Sequence, residues 1–443
     1  MSAAASAASE QSSRSRLPWD DRRGGVSVVV GWVLTRALMF VLLALPESFV
    51  VGDVYYYWRK IATLWSVGLP STLNEYPTPV VWLLTLPYVA SAGARVGYLV
   101  AFIVLMVGLD ALFTLVLFRA VGRRRGVAVD FWIAFVFLVG PLGYLRFDLI
   151  PAILAGAALL LARTRPGVTG ALTGLGAALK LWPALLYGAF LAPRGRRTPL
   201  SWGFWGVGVG LAALSLAFGG FRRLVSPLTW QSDRGLQVES LWSTPLMMAR
   251  ALNRTRWTVD ISRYQAYEIF GPGVQAFLVA SNVATVAGLI LIALLFLQAF
   301  RSIDPSPRAV GLVVVAVIVI MIITNKTLSP QYLLWLGGPV AALLVLDRRR
   351  IADRLGVRDR DSAAIDGLAR QLLVLALLTH LVYPLLYDGL LYLNKNDVAL
   401  VVSTAVTALR NLALLIFAVA ACRAAWVALG RRRPRPEPEA PSL

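Results

Sequence analysis

The chain has 443 residues, 58% of them hydrophobic and 15% charged; soluble domains carry about 25% charged residues, so an ordinary water-soluble core is excluded. The formal charge of +20 comes from arginine runs at 123–125, 194–197, 348–350 and 431–433, set between long apolar stretches. That is the positive-inside pattern of a membrane protein and not a nucleic-acid surface.

Residues 1–25 are polar and are expected to be a disordered cytoplasmic segment. The apolar run 26–46 has no small-residue cleavage site, so it reads as a retained anchor. It leaves 47–78 outside. The run 80–92, interrupted by Pro87, reads as a short or re-entrant helix, and a full span then leads to the basic stretch 119–125. The run 129–145 exits to Arg146-Phe147-Asp148, and 148–162 returns. Both flanks of 168–192 are basic, so it goes in and comes back, turning near Lys180–Pro183 because proline cannot continue a helix ladder. The run 202–218 exits to the largest outer loop, 219–273. After it, 274–300 returns, 309–323 exits to Asn325–Gln331, and 332–346 returns to the basic loop 347–361. The run 371–386 exits, and the last span ends in a Pro/Glu-rich tail, 429–443, expected to be cytoplasmic and disordered. The fold class is an all-α polytopic membrane protein. It forms one transmembrane domain over 26–428, with about 10–12 membrane helices of roughly 20 residues each and short re-entrant or juxtamembrane helices outside. A count of twelve full spans would put 119–125 and 163–165 outside, which the charge rule disfavours.

The polar residues gather on the outer side. All four lysines, Lys60, Lys180, Lys326 and Lys395, fall there, while the inner loops use arginine. Asp53, Tyr56, Tyr57 and Lys60 share one face of a helix by spacing. They make either a surface-lying site helix with Asp53 as general base or a capped helix with an aromatic belt. Glu75 and Tyr76 follow in a turn fixed by Pro77 and Pro79. Arg146 and Asp148 end a helix pair and could serve a site or merely pair with each other. Lys180 sits at a hairpin tip, either as a site cation or snorkelling to the interface. Gln231, Arg234, Gln237 and Glu239 supply donors and acceptors suited to a sugar or phosphate. Asn325, Lys326 and Gln331 form another polar cluster. His380, in the outer half of a span, is either a ligand or a helix contact. The spans themselves are nearly free of charge at mid-depth. There is no Walker loop, no Cys/His metal cluster, no G-x-S-x-G and no dinucleotide fingerprint. The lone Cys422 excludes a disulfide within the chain.

With these residues in place, the sequence resembles the GT-C class of membrane glycosyltransferases, which use polyprenyl-phosphate sugars. It is most similar to the actinobacterial polyprenol-phosphate-mannose-dependent mannosyltransferases of glycosyltransferase family 87, and the likeness extends to the mannosyltransferase that adds the first mannose to glycosylphosphatidylinositol anchors. The matching features are Gly52-Asp53-Val-Tyr, Tyr76-Pro-Thr-Pro79, Lys180-Leu-Trp-Pro183 and Asn325-Lys-Thr-Leu-Ser-Pro-Gln-Tyr-Leu-Leu-Trp335. Arg146-Phe-Asp148 falls where GT-C enzymes place an arginine-containing turn. The resemblance covers roughly 26–346 and implies a GT-C fold. It further implies inverting transfer of a sugar, mannose foremost, from a lipid phosphate donor to a glycolipid or polysaccharide at the outer face of the plasma membrane. In that frame Asp53 is the base, and Lys180, Lys326, Arg234 and Arg146 meet the donor phosphate. Tyr56, Tyr57, Lys60, Glu75, Tyr76, Asp148, Gln231, Gln237, Glu239, Asn325, Gln331 and His380 line the substrates. No cofactor, nucleic acid or protein partner is expected. Many GT-C enzymes carry Asp-x-Asp or Glu-x-Asp in the first loop; here the string is Asp-Val-Tyr, which favours cations over a metal at the phosphate. The rival reading is a transporter of lipid-linked sugars.

Overall fold

The computed structural model describes residues 18–44, 48–122, 126–302, 304–347, 360–393 and 395–430. The arginine runs 123–125, 348–350 and 431–433, residues 1–17 and nearly all of the tail expected over 429–443 lie outside the described residues. Residues 18–25, expected to be disordered, instead open the first helix, α1 (Pro18–Ala44). A proline at a first helical position has its φ preset and no N–H to leave unpaired.

The helices follow the apolar runs. They are α2 (Gly52–Ala62), α3 (Thr78–Ala90), α4 (Arg95–Ala120), α5 (Val127–Val139), α6 (Leu149–Leu161), α7 (Pro166–Leu179), α8 (Leu186–Leu191) and α9 (Arg197–Ser232). After α10 (Thr244–Leu252) and a two-stranded hairpin, β1 (Thr258–Ile261) with β2 (Tyr267–Phe270), come α11 (Val274–Arg301) and α12 (Pro307–Thr324). The chain closes with α13 (Leu334–Leu346), α14 (Arg360–His380), α15 (Tyr387–Leu391) and α16 (Asp397–Gly430). Among the described residues, eight helices are long and apolar enough to cross a membrane, and four shorter apolar helices accompany them. The chain is an all-α polytopic membrane protein.

Burial sorts these helices into layers. The most apolar window of α12 is 78% buried inside the protein, and that of the segment containing α9 only 11%. So α12, valine- and isoleucine-rich on every face, is the spine of the bundle, while α9 turns its apolar surface to lipid. Two seams are built on glycine. On α7 a Cβ at Gly170 would lie 2.8 Å from the Phe204 nitrogen of α9, and one at Gly174 2.7 Å from the Phe204 carbonyl oxygen. On α6 a Cβ at Gly156 would lie 2.6 Å from the Gly338 carbonyl oxygen of α13. Small residues let membrane helices pack backbone to backbone.

Two stretches differ from the sequence expectation. The helix entering the long loop does not end at Phe218. It turns at Gly220, where φ is +74°, and runs on to Ser232. The long loop also holds α10 and the β-hairpin. The helix α7 does stop at Leu179; Lys180 is extended, and the chain returns through α8.

Candidate active site

Asp53 lies in the first turn of α2, where helix N-termini favour negative charge. Val54, Tyr57 and Ile61 bury the inner side of this short helix. The Asp53 Oδ2 atom forms an ion pair with Arg146 Nη2. The side chain of Asp53 is 46% exposed and that of Arg146 only 7%. A reachable carboxylate therefore stands against a sequestered cation.

Arg146 and Asp148 do not pair with each other; the turn between α5 and α6 presents them to two different partners. Lys180, at the end of α7, donates to Asp148 Oδ1 at 3.0 Å, and Trp335 Nε1 donates to the same oxygen at 2.8 Å. The ammonium of Lys180 also sits over four rings, Phe147 at 5.1 Å, Tyr76 at 5.4 Å, and Tyr332 and Trp335 each at 5.6 Å. Ring faces are electronegative and attract a cation. Phe147, between the two charged residues, packs edge-on against Tyr76 at 5.0 Å and beside Tyr57 at 6.0 Å. The result is two adjacent ion pairs, Asp53–Arg146 and Asp148–Lys180, separated by one phenylalanine.

Glu75 and Tyr56 border this centre. The Tyr56 hydroxyl donates to Glu75 Oε1 at 2.8 Å; burial and the Glu75 carboxylate push the phenol's pKa up, so it stays a donor at neutral pH. Lys60 lies over the Tyr56 ring at 5.6 Å. The turn carrying Glu75 and Tyr76 is held by Arg223, a residue the sequence reading did not single out. It is 1% exposed and donates to the carbonyls of Tyr76 at 2.8 Å and Leu73 at 3.2 Å. The hint was its position: an arginine pair just beyond an apolar span, on the side where the charge rule expects few.

A second cluster joins the stretch 231–243 to Asn325–Gln331. The Gln237 N–H donates to the Lys326 carbonyl at 3.2 Å, and its side-chain amide donates to Ser329 Oγ at 3.1 Å. Lys326 donates to the Ser232 carbonyl at 2.7 Å; burial lowers its pKa, opposed by Glu268 and Asp233. Asn325 accepts from the backbone N–H and the hydroxyl of Thr327, a local Asx turn. Arg234 donates to the Tyr264 carbonyl at 3.3 Å, and Gln231 is exposed at the end of α9. Glu239 is fully buried and faces Arg410 of α16 at 3.4 Å. Burial pushes its pKa up to about 7, against the pull of Arg410 and a hydrogen bond from Tyr387. Its carboxylate thus anchors the loop and does not face an opening. The two clusters meet at Tyr332, which follows Gln331 and covers Lys180.

His380 lies apart from both. It is 8% exposed, its Nδ1 is 3.1 Å from the Leu138 carbonyl, and it joins α14 to α5 as a helix contact. The expectation of spans nearly free of charge at mid-depth is also corrected. Asp110 of α4 is fully buried and accepts from Arg36, Trp32, Trp132 and Tyr144 at 2.6–3.2 Å. Two lone charges on separate helices neutralise each other there, which lipid demands. Among the described residues no three His, Cys, Asp or Glu side chains gather into a group able to hold a metal ion.

The fold and the centre together are those of a multi-pass membrane protein with a reachable carboxylate backed by buried cations. The model of glycosyltransferase family 87 matches residues 74–324, more than half of the chain, and the chain belongs to that family. It is a glycosyltransferase. The matched stretch contains Glu75, Tyr76, Arg146, Asp148, Lys180 and the loop through Glu239; Asp53 and Lys326 flank it. No curated protein and no solved structure matches the chain.

Proposed function

We propose that the enzyme transfers mannose from a polyprenyl-phosphate donor to a hydroxyl of a glycolipid or polysaccharide, at the outer face of the plasma membrane with both termini cytoplasmic. The observation that carries this reading is the contrast in accessibility between Asp53, 46% exposed, and the charges behind it, Arg146, Lys180 and Asp148, at 7%, 15% and 1%. A base must be reachable by an incoming hydroxyl. Groups that neutralise a leaving phosphate act most strongly when shielded from water.

In the proposed step Asp53 takes the proton of the acceptor hydroxyl. The acceptor oxygen attacks the anomeric carbon, and the bond from that carbon to the phosphate oxygen breaks with its electron pair on the phosphate. A β-linked donor gives an α-linked product with inversion. Arg146, paired with Asp53, and Lys180, paired with Asp148 on the other side of Phe147, meet the departing phosphate, with Lys326 and Arg234 as further cations from the second cluster. Tyr56, Tyr57, Lys60, Glu75, Tyr76, Gln231, Gln237, Asn325 and Gln331 shape the sugar subsites, and Asp148 holds Lys180. The test is to incubate membranes containing the enzyme with radiolabelled polyprenyl-phosphate mannose and extract the lipids and glycans. Label should enter an extractable product with wild type and be lost with Asp53→Asn, which stays folded. Near-normal transfer by Asp53→Asn removes Asp53 as the base. Labelled donor crossing the bilayer without product would favour transport instead.

A further inference from the structure

The end of the bundle away from Asp53 carries a cleft that the transfer reaction does not use. The 13 residues of α6 lead from Asp148 to this end, roughly 20 Å at the rise of an α-helix. Leu159 of α6, Phe190 of α8 and Val310 of α12 wall the cleft, each at most 4% exposed. Arg163, just past α6, and Arg196, just ahead of α9, bring two guanidinium groups to it. The three arginines around the second of these positions are used differently. Arg194 is exposed. Arg197 donates from Nε to the Leu191 carbonyl at 3.0 Å and lies over the Phe300 ring at 5.4 Å. Arg196 Nη1 is buried, and among the described residues it has no hydrogen-bond partner. An arginine that only sets topology has no need of burial. A buried donor left unpaired is costly and calls for a partner.

The surroundings identify that partner. Trp202 and Trp205, in the first turns of α9, are 77% and 54% exposed, and exposed indoles gather where hydrocarbon meets headgroups. Arg196 precedes Trp202 along the chain by roughly 9 Å at the helical rise, which puts it among the headgroups. The α9 surface beside it is turned to lipid, so acyl chains have a wall to lie on. Space in the cleft is about 10 Å³, what one water molecule needs, so an oxygen enters but a sugar ring does not. We propose that the cleft binds the phosphate of an anionic membrane lipid. One phosphate oxygen enters to accept from Arg196 Nη1, and a second faces Arg163 at the mouth. Arg163 also pairs with Asp304 at 3.0 Å, the two side chains being 40% and 46% exposed, so the carboxylate shares that cation with the phosphate. The guanidinium fork suits phosphate, and basic pockets between membrane helices on the cytoplasmic side take such headgroups. This is the cytoplasmic end in the orientation proposed above.

The test uses the full-length enzyme in detergent, with phosphatidylglycerol as the probe, phosphatidylcholine as the neutral lipid and inorganic phosphate as the water-borne anion. Native mass spectrometry and the unfolding midpoint are read for wild type, Arg196→Gln, Arg163→Gln and Arg194→Gln. Wild type should retain phosphatidylglycerol in preference to phosphatidylcholine. Its midpoint should rise as phosphatidylglycerol is added, as with any ligand selective for the folded state. Arg196→Gln should bind that lipid roughly tenfold to a hundredfold more weakly. Arg163→Gln should lose less, because Asp304 already shares that cation. Arg194→Gln, at an arginine that does not line the cleft, should bind as wild type does. Equal losses in Arg194→Gln and Arg196→Gln would mean a diffuse basic rim and overturn the site. Wild type that shows no preference for phosphatidylglycerol overturns it too, whether or not the variants fold, and leaves water as the partner of Arg196. A midpoint rise with inorganic phosphate equal to that with the lipid assigns the cleft to a water-borne anion and overturns the lipid as its occupant.

Discussion

Lys180 is fixed by Asp148 at 3.0 Å while four aromatic rings crowd its ammonium. A compact point charge fits that enclosure, whereas a planar guanidinium has a different shape and a fork of five donors. Lys180→Arg should therefore lose most transfer activity although the charge is kept. Measured kcat and donor KM check this; activity within a factor of two of wild type would mean the rings do not select for lysine.

Removing the acid of that pair should act on stability as well. Asp148 is 1% exposed and also accepts from Trp335. Breaking a buried pair by deleting one partner typically costs about 3–5 kcal/mol, because the other charge is left stranded. Asp148→Ala should lower the unfolding midpoint in detergent and reduce transfer together. Asp110→Ala, which strands Arg36 inside the bundle, should show a comparable stability loss. An unfolding scan on each variant measures both.

Arg223 offers a separation of the two effects. It holds the turn bearing Glu75 and Tyr76 through main-chain carbonyls. Hydrogen bonds from a charged group contribute about 1.5–3 kcal/mol. Arg223→Ala should loosen that turn and raise the KM for a substrate more than it lowers kcat. A pure kcat defect would place Arg223 in the chemistry itself.

The loop anchor should respond to pH. Glu239 in the folded protein has its pKa raised to about 7 from an ordinary value of 4.5. The folded state therefore binds more protons than the unfolded state between those values, and Glu239's contribution is fully present below 4.5 and is lost as pH rises through 7. Wild type should lose unfolding midpoint relative to Glu239→Gln as pH goes from about 4.5 to about 7. Parallel midpoint curves for the two proteins would show that Glu239 does not titrate there.

The cations around Asp53 also lead to an expectation about metal. If Arg146 and Lys180 meet the donor phosphate, treatment with EDTA should leave transfer unchanged. Loss of activity, restored by magnesium or manganese, would show that a divalent ion shares the phosphate.

Much of this was legible in the sequence because membrane helices announce themselves by length and apolarity. Asp53, Arg146, Asp148 and Lys180 also stand out singly, as charges at the ends of apolar runs. Their pairing was not legible. Asp148 meets Lys180 across a helix pair, and no local spacing rule reports a contact of that kind. Arg36 and Asp110 each look like an isolated charge in its own span until the two helices pack. The continuation of α9 past Phe218 was masked by Gly219-Gly220, which reads as a stop but serves as a bend.

The glycine seam between α7 and α9 has a geometric consequence. α7 ends in Lys180, which lies over the Tyr76 ring, and α9 carries Arg223, which holds the Tyr76 carbonyl. Tyr76 is thus pinched between two positive charges borne on neighbouring helices whose spacing is set by Gly170 and Gly174. The seam lets the two backbones meet where a methyl group would clash, and the bend at Gly220 lies between it and Arg223, so the two cations come to Tyr76 from separate stretches of chain.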